Sequence, residues 1–227
     1  MKAMILAAGR GERLRPLTDR IPKALIAAGG KPLLAWHLER LAAAGYRDIV
    51  INVSHLGGML IERFGAGAAY GVAIQWSQET EALETAGGIA QAAALLGPAP
   101  FLLLNADIWC DFDFAALRGR PLGADLAHLV LVANPRHRAK GDFSLRGARV
   151  GSEASPRYTY AGIALLSPVL VAGIGPGRKA PLAPLFREAA ERGAVSGEIH
   201  GGLWFDAGTA DRLAELQTLL QRKNSAT

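Results

Sequence analysis

Two cations, Arg13 and Lys23, stand in a segment that also holds Gly9 and Gly11 and follows directly on the apolar run Met4 to Ala8. Between Gly9 and Lys23 five basic side chains (Arg10, Arg13, Arg15, Arg20, Lys23) face two acidic ones (Glu12, Asp19). Glycines let backbone N–H groups come close to an anion, and neighbouring cations hold its charge. The connection is also long, since compact folds usually join elements with about 4 to 6 residues. The chemistry that suits this pattern is capture of a small phosphorylated molecule by Arg13 and Lys23; the alternative is a solvated basic loop.

Two standard phosphate fingerprints do not fit. A dinucleotide motif needs a third glycine where Leu14 stands, and Pro16 then blocks the helix start. A P-loop needs Lys-Ser or Lys-Thr, but Gly30-Lys31 is followed by Pro32. Two carboxylates are better placed for chemistry. Asp107 in "LNADI" and Asp206 in "WFDAGT" each come just beyond an apolar strand, the edge at which open α/β sheets bind ligands. Hard oxygens without a nearby Cys or His suit Mg²⁺, although either residue could equally be a turn or cap residue. Gln78, just past the run Val72 to Ser77, can both donate and accept, as the imide edge of uracil or thymine requires; a surface glutamine is the plain alternative.

The elements that must position these residues alternate along the chain. Strand patterns at Met4–Ala8, Asp48–Ser54, Val72–Ser77 and Pro100–Asp107 are separated by helical patterns in "KPLLAWHLERLAAAGY", "HLGGMLIERFG" and "ETAGGIAQAAALLG". The near-continuous apolar run "PFLLLNAD" predicts a central strand covered on both faces. Further on, Asp125–Pro135, "YAGIALLSP" and "GLWFDAGT" predict strands, Pro181–Arg192 and Thr209–Arg222 predict helices, and residues 136–158 predict hairpins and loops. The expected fold is α/β, a Rossmann-like mainly parallel mixed sheet with helices on both faces. No linker divides it, so residues 1–227 are expected to form a single domain, with a nucleotide half to about residue 110 and an insertion-rich acceptor half after it.

Composition narrows the partners. The 227 residues are 50% hydrophobic, enough for a sizeable core, and carry a formal charge of +5. Aromatics are only 7% and no nucleic-acid reader motif is present, so small phosphorylated substrates account for the charge better than nucleic acid does. The five histidines show no metal-ligand spacing, and the lone Cys110 allows no internal disulfide. The N-terminal apolar run is too short for a signal peptide and no segment approaches the roughly 18 apolar residues of a membrane span. A soluble cytoplasmic protein is the expectation.

The motif Leu6-Ala7-Ala8-Gly9-x-Gly11-x-Arg13, followed by Pro16, Thr18 and Pro22-Lys23, resembles the signature of the nucleotidyltransferases that make nucleotide sugars from a nucleoside triphosphate and a sugar 1-phosphate. "GKPLL", "ETAGGI", "LNADI", "YAGIALLSP" and "WFDAGT" extend the likeness over nearly the whole chain, in the family's order. The resemblance implies the nucleotide-diphospho-sugar transferase fold, and nucleotide binding by Ala8, Gly9, Gly11, Glu12, Arg13, Lys23 and Gln78. Arg13 and Lys23 would carry catalysis, Asp107 and Asp206 would hold Mg²⁺, and Asn105, Gly141 and Glu153 would approach the sugar phosphate. Two departures stand out. Glu84 replaces the family's usual glycine, and Ala154-Ser155 replaces the Lys-Pro that often follows the position of Glu153.

What the resemblance implies for activity is condensation of UTP with a sugar 1-phosphate. The small size, without a C-terminal β-helix or acyltransferase-like region, is similar to that of compact members acting on N-acetylmuramate 1-phosphate in peptidoglycan recycling, and is compatible with a monomer. Glucose 1-phosphate with dTTP or UTP, and mannose 1-phosphate with GTP, are the alternatives within the class. A non-catalytic domain of the same fold would be expected to lose the cations or the acids, and this chain keeps Arg13, Lys23, Asp107 and Asp206.

Overall fold

The computed structural model describes residues 1–152 and 154–225. The first apolar run forms β1 (Ala3–Leu6), and a two-strand ribbon, β2 (Ala27–Ala28) and β3 (Lys31–Pro32), leads into α1 (Leu33–Ala43). There follow β4 (Asp48–Val53), α2 (Gly57–Phe64), β5 (Ala73–Gln78), α3 (Glu84–Gln91), α4 (Ala93–Leu96), β6 (Phe101–Asn105) and β7 (Ile108–Cys110). The second half comprises β8 (Ala127–Val132), the hairpin β9 (Phe143–Arg146) and β10 (Arg149–Gly151), β11 (Arg157–Leu166), α5 (Leu182–Glu191), β12 (Val195–His200), β13 (Trp204–Asp206) and α6 (Ala210–Ser225).

Among the described residues nine strands form one sheet in the order β5-β4-β1-β6-β11-β8-β12-β10-β9. The pairings β5–β4, β4–β1 and β1–β6 are parallel, as is β8–β12, whereas β11 runs antiparallel to β6, β8 and β9. The sheet is therefore mixed, with the parallel block β5-β4-β1-β6 in the first half of the chain. Alternation along the strands sends Ile5, Ile51 and Leu104 to one face, against Leu38 of α1 and Leu60 of α2. Met4, Val50 and Leu103 go to the other, against Ile89 of α3 and Phe186 of α5. Helices on both faces explain why the central strands are apolar throughout. A third cluster of Ala28, Leu33, Trp109, Ala207, Leu216 and Leu220 docks α6. Leu216 and Leu220 are fully buried there, each contributing about 1.5–3 kcal/mol of transfer free energy that fixes the start of α6 beside the strand ends.

Several elements differ from the sequence pattern, among them the short strands β2, β3 and β7. The helix expected from Glu84 to Gly97 forms as α3 and the short α4. β12 was not anticipated, because "VSGEIH" contains Gly, Glu and His; it pairs in parallel with all of β8 and leaves Ile199 exposed.

His37 sits in the core on α1 at 2% exposure, and its Nε2 lacks a hydrogen-bond partner. Burial, reinforced by Arg40, lowers its pKa from 6.5 to about 4, so it is held neutral. Between those values the unfolded chain binds a proton that the folded chain does not. Stability is therefore lost on acidification through that window, with a slope of up to about 1.4 kcal/mol per pH unit. Urea midpoints at pH 7 and pH 5 should show a smaller loss in His37→Leu than in the parent; equal losses would place the acid sensitivity elsewhere.

Candidate active site

The chain leaves β1 for β4 and β5 on one side and later returns to β6 on the other. That reversal opens a crevice beyond the carboxyl ends of β1 and β6, where open α/β sheets bind ligands. A cleft of about 550 Å³ lies there, lined after β1 by Ala8, Gly9, Gly11, Glu12, Arg13 and Lys23, and after β6 by Asn105 and Asp107. Eight of the residues picked from the sequence thus meet in one place.

The loop after β1 has a definite shape. Three single 3-10 turns, Glu12–Leu14, Leu17–Asp19 and Lys23–Leu25, compact it, and Leu14 and Thr18 are buried beneath. Gly11 takes φ +68, and a Cβ there would lie 2.9 Å from the Thr18 Cγ2 methyl; only glycine serves. Thr18 Oγ1 donates to the Gly11 carbonyl at 2.9 Å. At the root of the loop the Ala7 N–H donates to Asn52 Oδ1 at 2.9 Å, and Asn52 Nδ2 donates to the buried Glu79 at 2.7 Å. The excess of cations in this segment is not all aimed inward. Arg15 pairs with Asp19 at 3.0 Å, Arg10 and Arg20 are exposed, and of the five basic residues only Arg13 and Lys23 line the cleft.

A β-ladder that the sequence does not reveal brings the backbone of Asp206 beside that of Asp107, although Asp206 is not among the residues lining the cleft. β13 pairs antiparallel with β7, setting Asp206 opposite Ile108, and the Ala207 N–H donates to the Asp107 carbonyl at 2.8 Å. Arg40 of α1 steadies the far end of β7 by donating to the carbonyls of Cys110 and Phe112. Asp107 Oδ2 lies 2.5 Å from Lys23 Nζ. Asp206 is buried, and its Oδ2 meets Arg212 Nη1 at 2.8 Å and His137 Nε2 at 3.2 Å. Its Oδ1 lies 2.6 Å from the same Arg212 nitrogen but accepts no aligned hydrogen bond. Each acid is thus held by a cation.

Residues 2–141 match the sequence profile of the nucleotidyl transferase family. The chain belongs to that family. Over 226 residues this nucleotidyl transferase is 49% identical to the N-acetylmuramate alpha-1-phosphate uridylyltransferase of Neisseria meningitidis, covering 96% of this chain and 98% of that one. Over 223 residues it is 34% identical to the enzyme of the same name from Caulobacter vibrioides, covering 91% of each. Its fold superposes with a TM-score of 0.87, at 20% identity over 97% of this chain and 95% of the other, on a Bacillus anthracis protein assigned as a glucose-1-phosphate thymidylyltransferase.

Other residues of this nucleotidyl transferase lie elsewhere than expected or outside view. Gln78 does not line the cleft. Strand alternation puts it on the exposed side of β5, in a separate hollow of about 170 Å³ with Glu81, Gln91 and Lys179, whereas Glu79 turns inward to Asn52 and the Leu83 N–H. Gly141 also lies outside the cleft lining. It takes φ +61 in the turn before β9, where a Cβ would meet Asn134 Oδ1 at 2.8 Å. Glu153 falls outside the described residues. Glu84 lines the cleft with φ +59, a left-handed conformation that accounts for the glycine usual at this position. Asn52, Thr85, Gly208, His137 and Arg212 were not singled out from the sequence. The run "GTADR" holds Arg212, but nothing in it signals which way the side chain turns.

The charge balance bears on a metal. Arg13 and Lys23 are the cations lining the cleft, against Glu12, Glu84 and Asp107. A triphosphate entering such a wall needs further positive charge. Among the described residues no three His, Cys, Asp or Glu side chains gather as a protein-only metal cage. A pair of carboxylates, one with an oxygen free of hydrogen bonds, fits an ion such as Mg²⁺ that takes its remaining ligands from water and substrate phosphates.

Proposed function

We propose that this chain is a uridylyltransferase that joins UTP to N-acetylmuramate 1-phosphate, giving UDP-N-acetylmuramate and pyrophosphate, as a cytoplasmic step of peptidoglycan recycling. The observation that carries the reading is the convergence of the Gly9–Gly11 backbone, Arg13, Lys23 and Asp107 on one cleft at the switch point of the sheet. The sugar identity draws support from the two relatives matched over nearly their full lengths. Among the described residues no helix is long and apolar enough to cross a membrane.

The chemistry asks little of the protein beyond charge and position. A phosphate monoester has its second pKa near ~6, so an oxygen of the sugar 1-phosphate is already an anionic nucleophile at neutral pH and no general base is needed. That oxygen attacks the α-phosphorus of UTP in line, and the bond from the α-phosphorus to the β-phosphate bridging oxygen breaks, releasing pyrophosphate. Repulsion between two anions and charge on the leaving group are the barrier. The backbone amides at Gly9 to Gly11 orient the phosphate tail, Arg13 takes up charge on the departing pyrophosphate, and Lys23 neutralises the reacting centre. Asp107 and Asp206 would hold a Mg²⁺ ion, whose charge when bound screens the phosphates. With Gln78 turned away, Glu84, Thr85 and the backbone at the start of α3 are among the polar groups of the cleft wall that can meet the base.

Pyrophosphate release tests this. The protein is incubated with Mg²⁺, each of UTP, dTTP and GTP, and N-acetylmuramate, N-acetylglucosamine, glucose or mannose 1-phosphate. UTP with N-acetylmuramate 1-phosphate should give the highest kcat/KM. A preference for another pair would replace the substrate assignment, and no release from any pair would point to a non-catalytic member of the family.

A further inference from the structure

Two guanidinium groups meet at Gly208 on the wall of the cleft. A Cβ built on this buried glycine would lie 2.5 Å from Arg212 Nη2 and 3.1 Å from Arg13 Nη2, so both side chains reach the same point from opposite ends of the sequence. Like charges held that close repel unless an anion lies with them. Arg212 is partly answered: its Nη1 meets Asp206, and its Nε donates to Thr209 Oγ1 at 3.1 Å. Its Nη1 also touches His137. Its Nη2, the edge turned toward Gly208, has no partner among the described residues, and Arg13 makes no ion pair among them. Arg212 is only 14% exposed, so its guanidinium is fixed in place and not swept through solvent.

We propose that Arg212 is a second guanidinium contact for the phosphate tail of the nucleotide, gripping the anion with Arg13 across Gly208 through Nη2 while Nη1 holds Asp206. The inference rests on the cleft being a triphosphate site. It gives Gly208 a reason: any larger residue would fill the point where the two cations converge. It also sets Arg212 beside Asp206 as Lys23 sits beside Asp107, one cation on each carboxylate.

A purely structural role, neutralising Asp206, is separable by a double-mutant cycle. UTP and inorganic pyrophosphate are titrated calorimetrically, in EDTA so that metal plays no part, into the parent protein, Arg212→Met, Asp206→Asn and the double variant. Arg212→Met should weaken both ligands by about tenfold to a hundredfold, the range for loss of a charge-assisted hydrogen bond, whether or not Asp206 is present. Arg212→Lys should recover part of this, since it keeps the charge but lacks the planar fork. Gly208→Ala supplies a second route that keeps both charges of the Asp206 pair. Its methyl meets the guanidinium ends of Arg212 and Arg13 and no backbone, so pyrophosphate binding should fall. A loss seen only when Asp206 is present, or unchanged binding in Gly208→Ala, overturns the proposal and leaves Arg212 as a counter-ion. If the parent protein binds neither probe, the triphosphate reading falls and this inference with it; if the parent binds and the variants bind equally, only the inference falls.

Discussion

Lys23→Ala should lower kcat by about two to three orders of magnitude, the cost typical of removing one preorganised donor from a site where charge develops. The side chain is 12% exposed and its ammonium sits 2.5 Å from Asp107, so it is fixed in the cleft before any substrate arrives. The loss of stability should be small. Asp107 is 34% exposed, and water can solvate it when its partner is gone, so the pair is worth about 1 kcal/mol or less. Turnover and urea midpoints, measured side by side, make the comparison. Lys23→Arg should restore only part of the rate, because a planar fork does not replace a compact ammonium. Turnover within about threefold of the parent in Lys23→Ala would remove this lysine from the mechanism.

Asp206→Asn should have two large effects that Asp107→Asn separates. Asp206 is buried and holds Arg212 and His137, and removing its charge leaves Arg212 nearly buried without a counter-ion. Breaking one side of such a pair costs about 3 kcal/mol. The same change removes one of the two carboxylates that would hold Mg²⁺, so the metal concentration needed for half-maximal activity should rise at least about tenfold. Asp107→Asn should raise the metal requirement equally with a much smaller fall in stability, since Asp107 is 34% exposed and its pair is open to water, whereas Asp206 is 9% exposed. Direct binding of Mn²⁺, followed by electron paramagnetic resonance, gives a readout independent of turnover. Unchanged Mn²⁺ affinity in both variants would count against a carboxylate-held ion at this place.

Much of this arrangement is visible in the sequence where local physics dominates. "PFLLLNAD" announces a strand buried on both faces, and the glycines and prolines after β1 announce a loop. The cation count of that loop, however, overstates its aim. Arg10, Arg15 and Arg20 turn to solvent or to Asp19, a choice made by the burial of Leu14 and Thr18 underneath. What was not legible depends on contacts far apart in the chain. Asp206 reaches Asp107 only because β13 pairs with β7, and Arg212 reaches Gly208 only because Leu216 and Leu220 dock α6 against Trp109 and Ala28. Gln78 lies off the cleft lining for a simpler reason. Near a strand end a shift of one residue changes the face, and Glu79, not Gln78, is the residue turned inward.

The most direct test of charge neutralisation at this cleft is a crystal structure of the protein with UTP and Mg²⁺. The triphosphate should lie against the backbone of residues 9–13, with Arg13 and Lys23 within hydrogen-bond distance of its oxygens. A phosphate tail bound away from that loop, for instance on the basic turn Arg136–Arg138, would contradict the account.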